Sequence, residues 1–325
     1  MLVSANRLID GPIISPSSDP SIGNNIQGPS LIKVPYWVAA PLGKYYLYFA
    51  DHKGKYIRLA YADELTGPWH IHVPGSLRLE HSLFPVEPPS PGTRPDNPTA
   101  DFEDGVSIPA ERSHGAHLEA SFTHIASPDV HVREEAGVIV MYYHGLESYG
   151  KQATRVAVSR DGIAFEAYEE ILGRTYFRVF DYQSQYFALA MPGLIYRSQD
   201  GYSNFESGPL LFNKDMRHTA VLRVEDTLYV FWTQVGHIPE RILLSTIDLR
   251  GDWQQWQASE PVEVLRPEYP FEGADAPLEP SIRSTAYGHV NQLRDPAVYV
   301  EDNTIYLLYA VAGESGIAVA QVSIT

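Results

Sequence analysis

The 325-residue sequence predicts an all-β protein, a five-bladed β-propeller closed by its N-terminal segment. An aromatic-rich strand recurs five times, and each copy has one apolar run before it and another after it. Turn dipeptides separate these runs, and the apolar residues show no helical period. The aromatic copies are YYLYFA (45–50), VIVMYYHG (138–145), QYFALAM (185–191), LYVFWTQ (228–234) and IYLLYAV (305–311).

Each copy is interpreted as the second strand of a four-stranded antiparallel unit. In the first four units the chain then reaches an aromatic residue, which is expected in the fourth strand: Trp69, Phe165, Phe205, and Trp253 with Trp256. The predicted blades of this single domain are 28–72, 123–170, 174–210, 216–258 and 293–325, with long insertions at 73–122 and 257–292. Loops of such length inside a compact domain are usually functional or disordered.

The fifth repeat ends at Thr325, directly after its third strand. An open sheet edge is an aggregation hazard. We therefore expect the N-terminal segment, around Leu8–Ile14, to supply the missing strand, so that the two termini meet in one blade.

The charge balance and the cysteine count exclude several classes of protein. A net charge of −16 disfavours nucleic acid and anionic membrane surfaces as partners, and the absence of cysteine removes disulfides and thiol nucleophiles. No apolar run is long enough to span a membrane, and no signal peptide is visible. A cytoplasmic location is the expectation, unless a leader has been removed.

Propeller topology places many polar residues on one face of the disc. The start of strand 1, the loop between strands 2 and 3, and both insertions lie on this face. The residues so placed are Asp51, His52, Lys53, His114, His117, Glu119, His124, Ser127, Asp129, His144, Glu147, Arg217, His218, His237, Glu240, Arg241, Glu272, Glu279, His289, Arg294, Asp295 and Glu314. These residues surround the central funnel of the propeller on that face. A funnel lined by acids and bases is a typical small-molecule site.

The segments SPDVHV…VIVMYYHG and RDPAVYVEDNTIYLLYAV, together with GPSLIKV…KYYLYFADHKGKYIRLAYADELTGPW, carry a family resemblance. They resemble glycoside hydrolase family 43 and its five-bladed, arabinanase-like relatives. The resemblance implies an inverting hydrolase of glycosides of pentoses or similar sugars. Its base would be an Asp in blade 1 and its acid a Glu in blade 3, about 6.5–9.5 Å apart, with an Asp in blade 2 that tunes the acid.

The family's catalytic positions are not matched. The base position reads Gly28, and the acid position falls near Arg174 or Thr175. The blade 2 and blade 4 positions are filled by Asp129 and His218. The chain is therefore either a non-catalytic relative or an enzyme whose catalytic pair has moved.

A relocated pair is the leading hypothesis. Asp295, in the motif RDPAV, is predicted as the base, and Asp129, two blades away, as the acid. Glu279 and Glu272 from the second insertion are rival acids, and His52 or His144 would also suit this role because histidine titrates near neutrality. Residues predicted to bind substrate are His52, His144, Arg178, Arg217, His218 and Arg294.

The predicted partner is an oligosaccharide. Arg174, Arg178, Arg217 and Arg294 predict a locally positive funnel that would suit an anionic sugar, cleaved by hydrolysis or by elimination. A sugar-binding propeller without catalysis is the alternative. No cofactor is expected, although a structural calcium ion in the funnel stays open, as does a metal at the HGAH pair His114 and His117.

Overall fold

The structure is a computed structural model, and it describes residues 1–90 and 120–325. Its strands form five separate four-stranded antiparallel sheets, which are the five blades of a β-propeller. This confirms the fold class expected from the recurrent aromatic strand. Within the described ranges, no helix is long and apolar enough to cross a membrane.

The strands follow the chain blade by blade. Strand β1 (Val3–Arg7) comes first, and blade 1 then contains β2 (Gln27–Lys33), β3 (Tyr45–Ala50), β4 (Arg58–Ala62) and β5 (His70–His72). Blade 2 contains β6 (Ile125–Arg133), β7 (Val138–Ser148), β8 (Lys151–Ser159) and β9 (Glu166–Ala167). Blade 3 contains β10 (Arg178–Tyr182), β11 (Gln185–Ala190), β12 (Leu194–Ser198) and β13 (Glu206–Leu210).

The last two blades complete the ring. Blade 4 contains β14 (Met216–Val224), β15 (Thr227–Gln234), β16 (Ile242–Asp248) and β17 (Val262–Leu265), and blade 5 contains β18 (Arg294–Glu301), β19 (Thr304–Ala310) and β20 (Ile317–Ile324). Short 3₁₀ helices lie at Pro20–Ile22, Leu79–His81, Trp253–Gln255 and Pro270–Glu272.

The N-terminal strand closes the ring, as the truncated fifth repeat predicted. Strand β1 pairs antiparallel with β20, from Val3 opposite Ile324 to Arg7 opposite Ala320. The closing strand therefore lies before the segment Leu8–Ile14 that was expected to form it. That segment still contacts β20, because the amide of Leu8 donates to the carbonyl of Val319.

The apolar core is divided into clusters between neighbouring blades. One cluster joins Tyr46 and Tyr48 of blade 1 to Ile125 and Met141 of blade 2, and similar clusters lie between the other neighbouring blades. Every residue of β3 is buried, because both faces of its sheet pack against another blade. This explains why the second strands read as continuous aromatic and aliphatic runs rather than as alternating patterns.

The outer strand of blade 4 differs from the sequence-based assignment. Trp253 and Trp256 were expected in this strand, but Trp253 begins a 3₁₀ helix, and the strand is β17, inside the predicted insertion 257–292. Both indole rings pack against Phe187 of blade 3. The tryptophans therefore fill the space between blades 3 and 4, a tertiary role that the repeat pattern does not specify.

Candidate functional site

The innermost strand of every blade is preceded or opened by a residue in the left-handed backbone region. These residues are Gly28, Ser127, Tyr176, His218 and Asp295, with φ between 46° and 66°. In blades 1, 2, 4 and 5 the ladder between the first two strands shifts register at this point. Such a bulge bends the strand and redirects its side chain. The five positions are equivalent, and they lie at the end of the funnel that the sequence indicated.

Side chains from four blades meet around Tyr176. Its hydroxyl donates a hydrogen bond of 2.7 Å to Asp295 Oδ1. Its ring centroid lies 5.4 Å from that of His218 and 6.3 Å from that of His144. The Arg178 guanidinium carbon lies 4.1 Å from the same centroid. These five residues, Tyr176, Asp295, His218, His144 and Arg178, are called the funnel cluster below.

Asp295 is the acid of this cluster. It is 1% exposed, and its Oδ1 accepts from Tyr176 and lies 3.8 Å from His218 Nε2. Its other oxygen, Oδ2, is buried and has no hydrogen-bond partner within the described part of the chain. Burial, and then the charge of Glu314, raise the pKa of Asp295 to about 6. A carboxyl with one uncommitted oxygen and a pKa near neutrality can take up and release a proton at physiological pH.

The two cluster histidines are neutral at neutral pH. Burial, and then the positive charge of Arg217, lower the pKa of His218 well below its ordinary value. Burial and the neighbouring His124 do the same to the pKa of His144. His144 Nδ1 is buried and has no partner among the described residues, whereas His218 Nδ1 lies 3.3 Å from Thr233 Oγ1. His144 can therefore offer a hydrogen bond to a ligand but not an imidazolium charge.

Arg178 links three blades through its guanidinium group. Its Nε donates to the carbonyl of Thr219, and its Nη1 donates to the carbonyls of Phe177 and Ser127, at 2.9, 2.9 and 3.3 Å. The side chain is 3% exposed, and its Nη2 has no partner in the ranges 1–90 and 120–325. An unmatched buried N–H is costly, so this atom is a ready donor for a ligand.

Arg217 and Arg294 have a different role from the one expected of them. Arg217 forms a two-pronged ion pair with Glu240, through Nε at 2.9 Å and through Nη2. Arg294 Nη1 donates to Glu314 at 2.8 Å, and its Nε lies 3.4 Å from Glu240. All four side chains are buried. The prediction that Arg217 and Arg294 give the funnel a free positive charge for an anionic substrate is wrong, since the buried glutamates neutralise them.

His52 contacts the cluster's surroundings through Glu314. Its Nδ1 lies 3.4 Å from Glu314 Oε2, and its side chain is 23% exposed. Glu314 also accepts from Asn25 Nδ2 and from the amide of Ala286. Although burial opposes ionisation, His52 and then Arg294 hold the pKa of Glu314 down at about 2. Glu314 is thus a fixed anion whose acceptor sites are occupied, and His52 is its more accessible partner.

Asp129 was predicted to be the acid opposite Asp295, and its contacts contradict this role. It lies two residues beyond Ser127, the position equivalent to Asp295, and therefore further along its strand. Its Oδ2 accepts from His131 Nε2 and from the amide of Val179, both at 2.8 Å. Although burial alone would raise the pKa of Asp129, the contact with His131 lowers it. An ionised carboxylate that braces the next blade does not donate a proton.

Asp129 also lines a cavity of about 1100 Å³ that follows the propeller axis. The innermost strands of all five blades form its wall, from residues such as Leu31, Val130 and Val298. This axial cavity includes the ends of those strands, for example Arg133 and Glu301, at the opposite side of the disc from the strand openings. Arg178 lies between this cavity and the rest of the funnel cluster.

The two glutamates of the second insertion that were predicted as rival acids differ in environment. Glu272 is buried and accepts hydrogen bonds from Arg7 and from the hydroxyl of Tyr309, so it anchors the closing strand β1 and is not an acid of the funnel. Glu279 is exposed to solvent, and its catalytic role stays a prediction. The loop that carries Glu279 contacts blade 4, because the amide of Gly236 donates to the carbonyl of Ser281.

The funnel residues do not fit a calcium ion. Calcium requires several free oxygen ligands, but Glu240 and Glu314 are committed to arginines, and Asp295 supplies one free oxygen. Over the ranges that the structure describes, no group of three or more His, Asp or Glu side chains is arranged to hold a metal. The HGAH pair, His114 and His117, and Glu119 lie outside the described residues.

Sequence reasoning missed Tyr176. It placed the opening of blade 3 at Arg174 or Thr175. Three of the other openings are marked by a following proline, as in Gly28–Pro29, but blade 3 has Phe177 there and so lacks this marker. It also placed Glu240 and Glu314 on the correct face, but it did not predict that each of them pairs with a buried arginine. Aligning the innermost strands on their buried residues, rather than on proline, would have brought Tyr176 into register with Asp295.

Comparisons with known proteins support the fold and identify a relative. No family model matches the chain. Among solved structures, a family 43 β-xylosidase/α-arabinofuranosidase, CoXyl43, from a compost microbial metagenome covers 98% of this chain and 94% of its own, with 11% identity and a TM-score of 0.57. The RS223 β-xylosidase covers 93% and 92%, with 11% identity and a TM-score of 0.56.

An α-L-arabinanase of Cellvibrio cellulosa is also similar, with 11% identity, a TM-score of 0.51 and coverage of 92% of this chain and 91% of its own. These likenesses confirm that this chain has the five-bladed architecture of the family 43 enzymes. In sequence, the chain is 32% identical over 323 residues to the uncharacterized protein R118 of Acanthamoeba polyphaga mimivirus, covering 91% of this chain and 83% of that one. The chain therefore belongs to the same protein family as mimivirus R118, built on the five-bladed propeller of the glycoside hydrolase family 43 enzymes.

Proposed function

We propose that this protein is a carbohydrate-active enzyme that cleaves a glycosidic bond of an oligosaccharide, with Asp295 as general base. The observation that carries the proposal is the buried Oδ2 of Asp295, which has no partner among the described residues, in a cluster around Tyr176 that also contains the unpartnered atoms Arg178 Nη2 and His144 Nδ1. Several convergent polar atoms in a water-poor site suit a ligand with several hydroxyl groups. The propeller that this chain shares with xylosidases and arabinanases supports the substrate class.

In the proposed reaction, Asp295 Oδ2 accepts a proton from the water that attacks the anomeric carbon. Arg178 Nη2 and His144 Nδ1 bind sugar hydroxyls. A second group must protonate the leaving oxygen in an inverting hydrolysis. His52 is proposed for this role, because it is the accessible histidine of the site and is paired with the fixed anion Glu314. The low pKa of His144 makes that side chain a poor proton donor.

Elimination from a uronic acid is the second candidate. Asp295 is the cluster's one carboxyl, and it bonds the hydroxyl of Tyr176 while Arg178 packs on the ring of the same residue. A base and an arginine, without a second free acid, suit proton abstraction next to a sugar carboxylate. Hydrolysis is preferred here because Arg217 and Arg294 are neutralised, which leaves Arg178 as the remaining candidate among the three for a substrate carboxylate.

The test is an activity screen on a panel of neutral, uronic and sulfated oligosaccharides, with product analysis by mass spectrometry and ultraviolet absorbance. Reducing sugar without unsaturation is the result expected for hydrolysis, and an unsaturated product would show elimination. Asp295→Asn should abolish turnover on the identified substrate while binding persists. If no sugar is turned over but one binds, and Asp295→Asn binds it equally, the protein is a sugar-binding propeller and the catalytic proposal fails.

A further inference from the structure

Tyr176 has a backbone conformation that a large side chain rarely adopts. Its φ is 66°, in the left-handed region that favours glycine. A bulky residue in this region is strained, and such strain persists where the surrounding structure requires the side chain in one place. Blade 1 has Gly28 at the equivalent position. The strained backbone at Tyr176 therefore indicates that the fold requires the tyrosine side chain at this position, since glycine would satisfy the backbone alone.

The side chain of Tyr176 joins blade 3 to blade 5. Its hydroxyl reaches Asp295 Oδ1 at 2.7 Å, and its ring covers the Arg178 guanidinium at 4.1 Å. Tyr176 as a whole is 3% exposed. A carboxylate has two equivalent oxygens, and a single donor fixed on one of them leaves the other as the atom that meets a ligand. This division is observed, since Oδ1 is bonded and Oδ2 has no partner in the described structure.

We propose that Tyr176 is a positioning residue that holds Asp295 by Oδ1 and so directs Oδ2 toward the substrate. The catalytic meaning of this inference rests on the proposed function. The hydrogen bond between Tyr176 and Asp295 does not depend on that function. The phenol acts as a hydrogen-bond donor throughout, because burial and then the charge of Asp295 raise the pKa of Tyr176 well above its ordinary value.

Several groups besides Tyr176 set the ionisation of Asp295. The titratable and charged groups that face it are Tyr176 from blade 3, Arg217 and His218 from blade 4, Arg294 and Glu314 from its own blade, and His52 from blade 1. Arg294 and Arg217 are each paired with a glutamate, so their charges are largely balanced locally. Tyr176 is the group whose donor can be removed without changing any charge.

The test is a carbon-13 NMR titration of the Asp295 carboxyl in wild-type protein and in Tyr176→Phe, with Asp295→Asn to identify the signal. The variant keeps the ring on Arg178 and loses the hydroxyl. A hydrogen bond to a carboxylate favours its charged form, so the pKa of Asp295 should rise by about one unit in the variant. Tyr143→Phe is the matched control, because the buried Tyr143 hydroxyl donates to the carbonyl of Ser82 instead.

An unchanged Asp295 titration in a folded Tyr176→Phe protein would overturn the proposal. A reciprocal measurement covers the case in which that variant does not fold. Asp295→Asn should lower the pH at which Tyr176 ionises, read by carbon-13 NMR of the tyrosine Cζ signals as a resonance whose titration midpoint falls relative to that in the wild-type protein. An unaltered midpoint in Asp295→Asn would equally overturn it.

Once a substrate is known, Tyr176→Phe should lower kcat about 10- to 100-fold, move the acid limb of the pH profile upward and leave KM nearly unchanged. A purely structural role would move none of these in a folded variant. If the NMR shift is found but no glycoside is cleaved by the wild-type protein, the positioning of Asp295 stands and the proposed function fails.

Discussion

Asp295 is a residue whose ionisation the fold opposes. The raised pKa of about 6 means that the folded protein binds this proton more tightly than the unfolded chain does. The stabilising contribution of the protonated carboxyl is fully present below the ordinary aspartate pKa, and it is lost as the pH rises toward 6. The size of the effect is about 3 kcal/mol, from roughly two pKa units.

Asp295→Asn should therefore stabilise the protein at neutral pH, because it removes a buried charge. The difference in unfolding free energy between variant and wild type should increase by about 2–3 kcal/mol from pH 4 to pH 7. Urea denaturation at intervals across this range measures it. Glu314 contributes mainly in a lower window, from about pH 2 up to its ordinary pKa, and it is present in both proteins, so its contribution largely cancels in the difference. A difference that stays constant with pH would show that Asp295 titrates normally in the fold.

The buried ion pair of Arg217 and Glu240 gives a second residue-scale prediction. Glu240→Gln leaves the two-pronged guanidinium of Arg217 without its counter-charge in a site that is 2% exposed. Removing one partner of a buried pair should lower the unfolding free energy by about 3–5 kcal/mol. Asp248→Asn, which breaks the exposed pair with Arg250, is the control and should change stability little. Equal effects of the two substitutions would refute this account.

At the scale of elements, the strand openings set how closely the blades approach the axis. Gly28 has a φ of +62°, and a Cβ built on it would lie 2.9 Å from the Cα of Ser127 in blade 2. Blades 1 and 2 therefore meet backbone against backbone at this point. Only glycine permits this approach together with the left-handed conformation.

Gly28→Ala should consequently destabilise the protein by about 2–3 kcal/mol, from backbone strain and a clash with the neighbouring blade. Gly23 provides a matched control, since its φ is +61° and its added Cβ would meet nothing within 4 Å. Gly23→Ala should introduce the backbone strain without a clash, and it should lower the unfolding free energy by about 1 kcal/mol. Thermal and chemical denaturation of the two variants measure the difference, and similar losses in both would rule out the clash.

The element scale also shows where repeat patterns succeed. The second strands, such as Tyr45–Ala50, were located correctly because a strand packed on both faces must be apolar along its whole length. The outer strand of blade 4 was misplaced because Trp253 and Trp256 satisfy a gap between blades rather than a sheet. An aromatic residue signals burial, and the sequence does not state against which surface.

At the scale of the whole molecule, closure depends on β1. The strand pairs with β20, and Arg7 at its end donates to the buried Glu272 of the second insertion. Tyr309 of blade 5 bonds the same carboxylate. The N-terminus is thus fixed to two parts of the ring by backbone pairing and by a partly buried ion pair.

Deletion of residues 1–7 should destabilise the whole ring and expose the edge of β20. We expect a lower Tm in a single calorimetric transition, faster amide exchange in β19 and β20, and a tendency to aggregate through the open edge. Arg7→Ala should give a smaller decrease in Tm without aggregation, because β1 can still pair. An unchanged Tm after the deletion would show that β1 is dispensable for closure.

The sequence by itself determined the propeller, its five blades and the face that bears the funnel, because these depend on the order of apolar and turn residues along the chain. It also singled out Asp295, since its motif marks a strand opening. Only the tertiary structure decided which side chains are free to act. Arg217 and Arg294 are neutralised by Glu240 and Glu314 from other loops, Asp129 braces a neighbouring strand, and Tyr176 reaches Asp295 from two blades away. Pairing between distant charges is a property of three-dimensional distance, and no local pattern of residues encodes it.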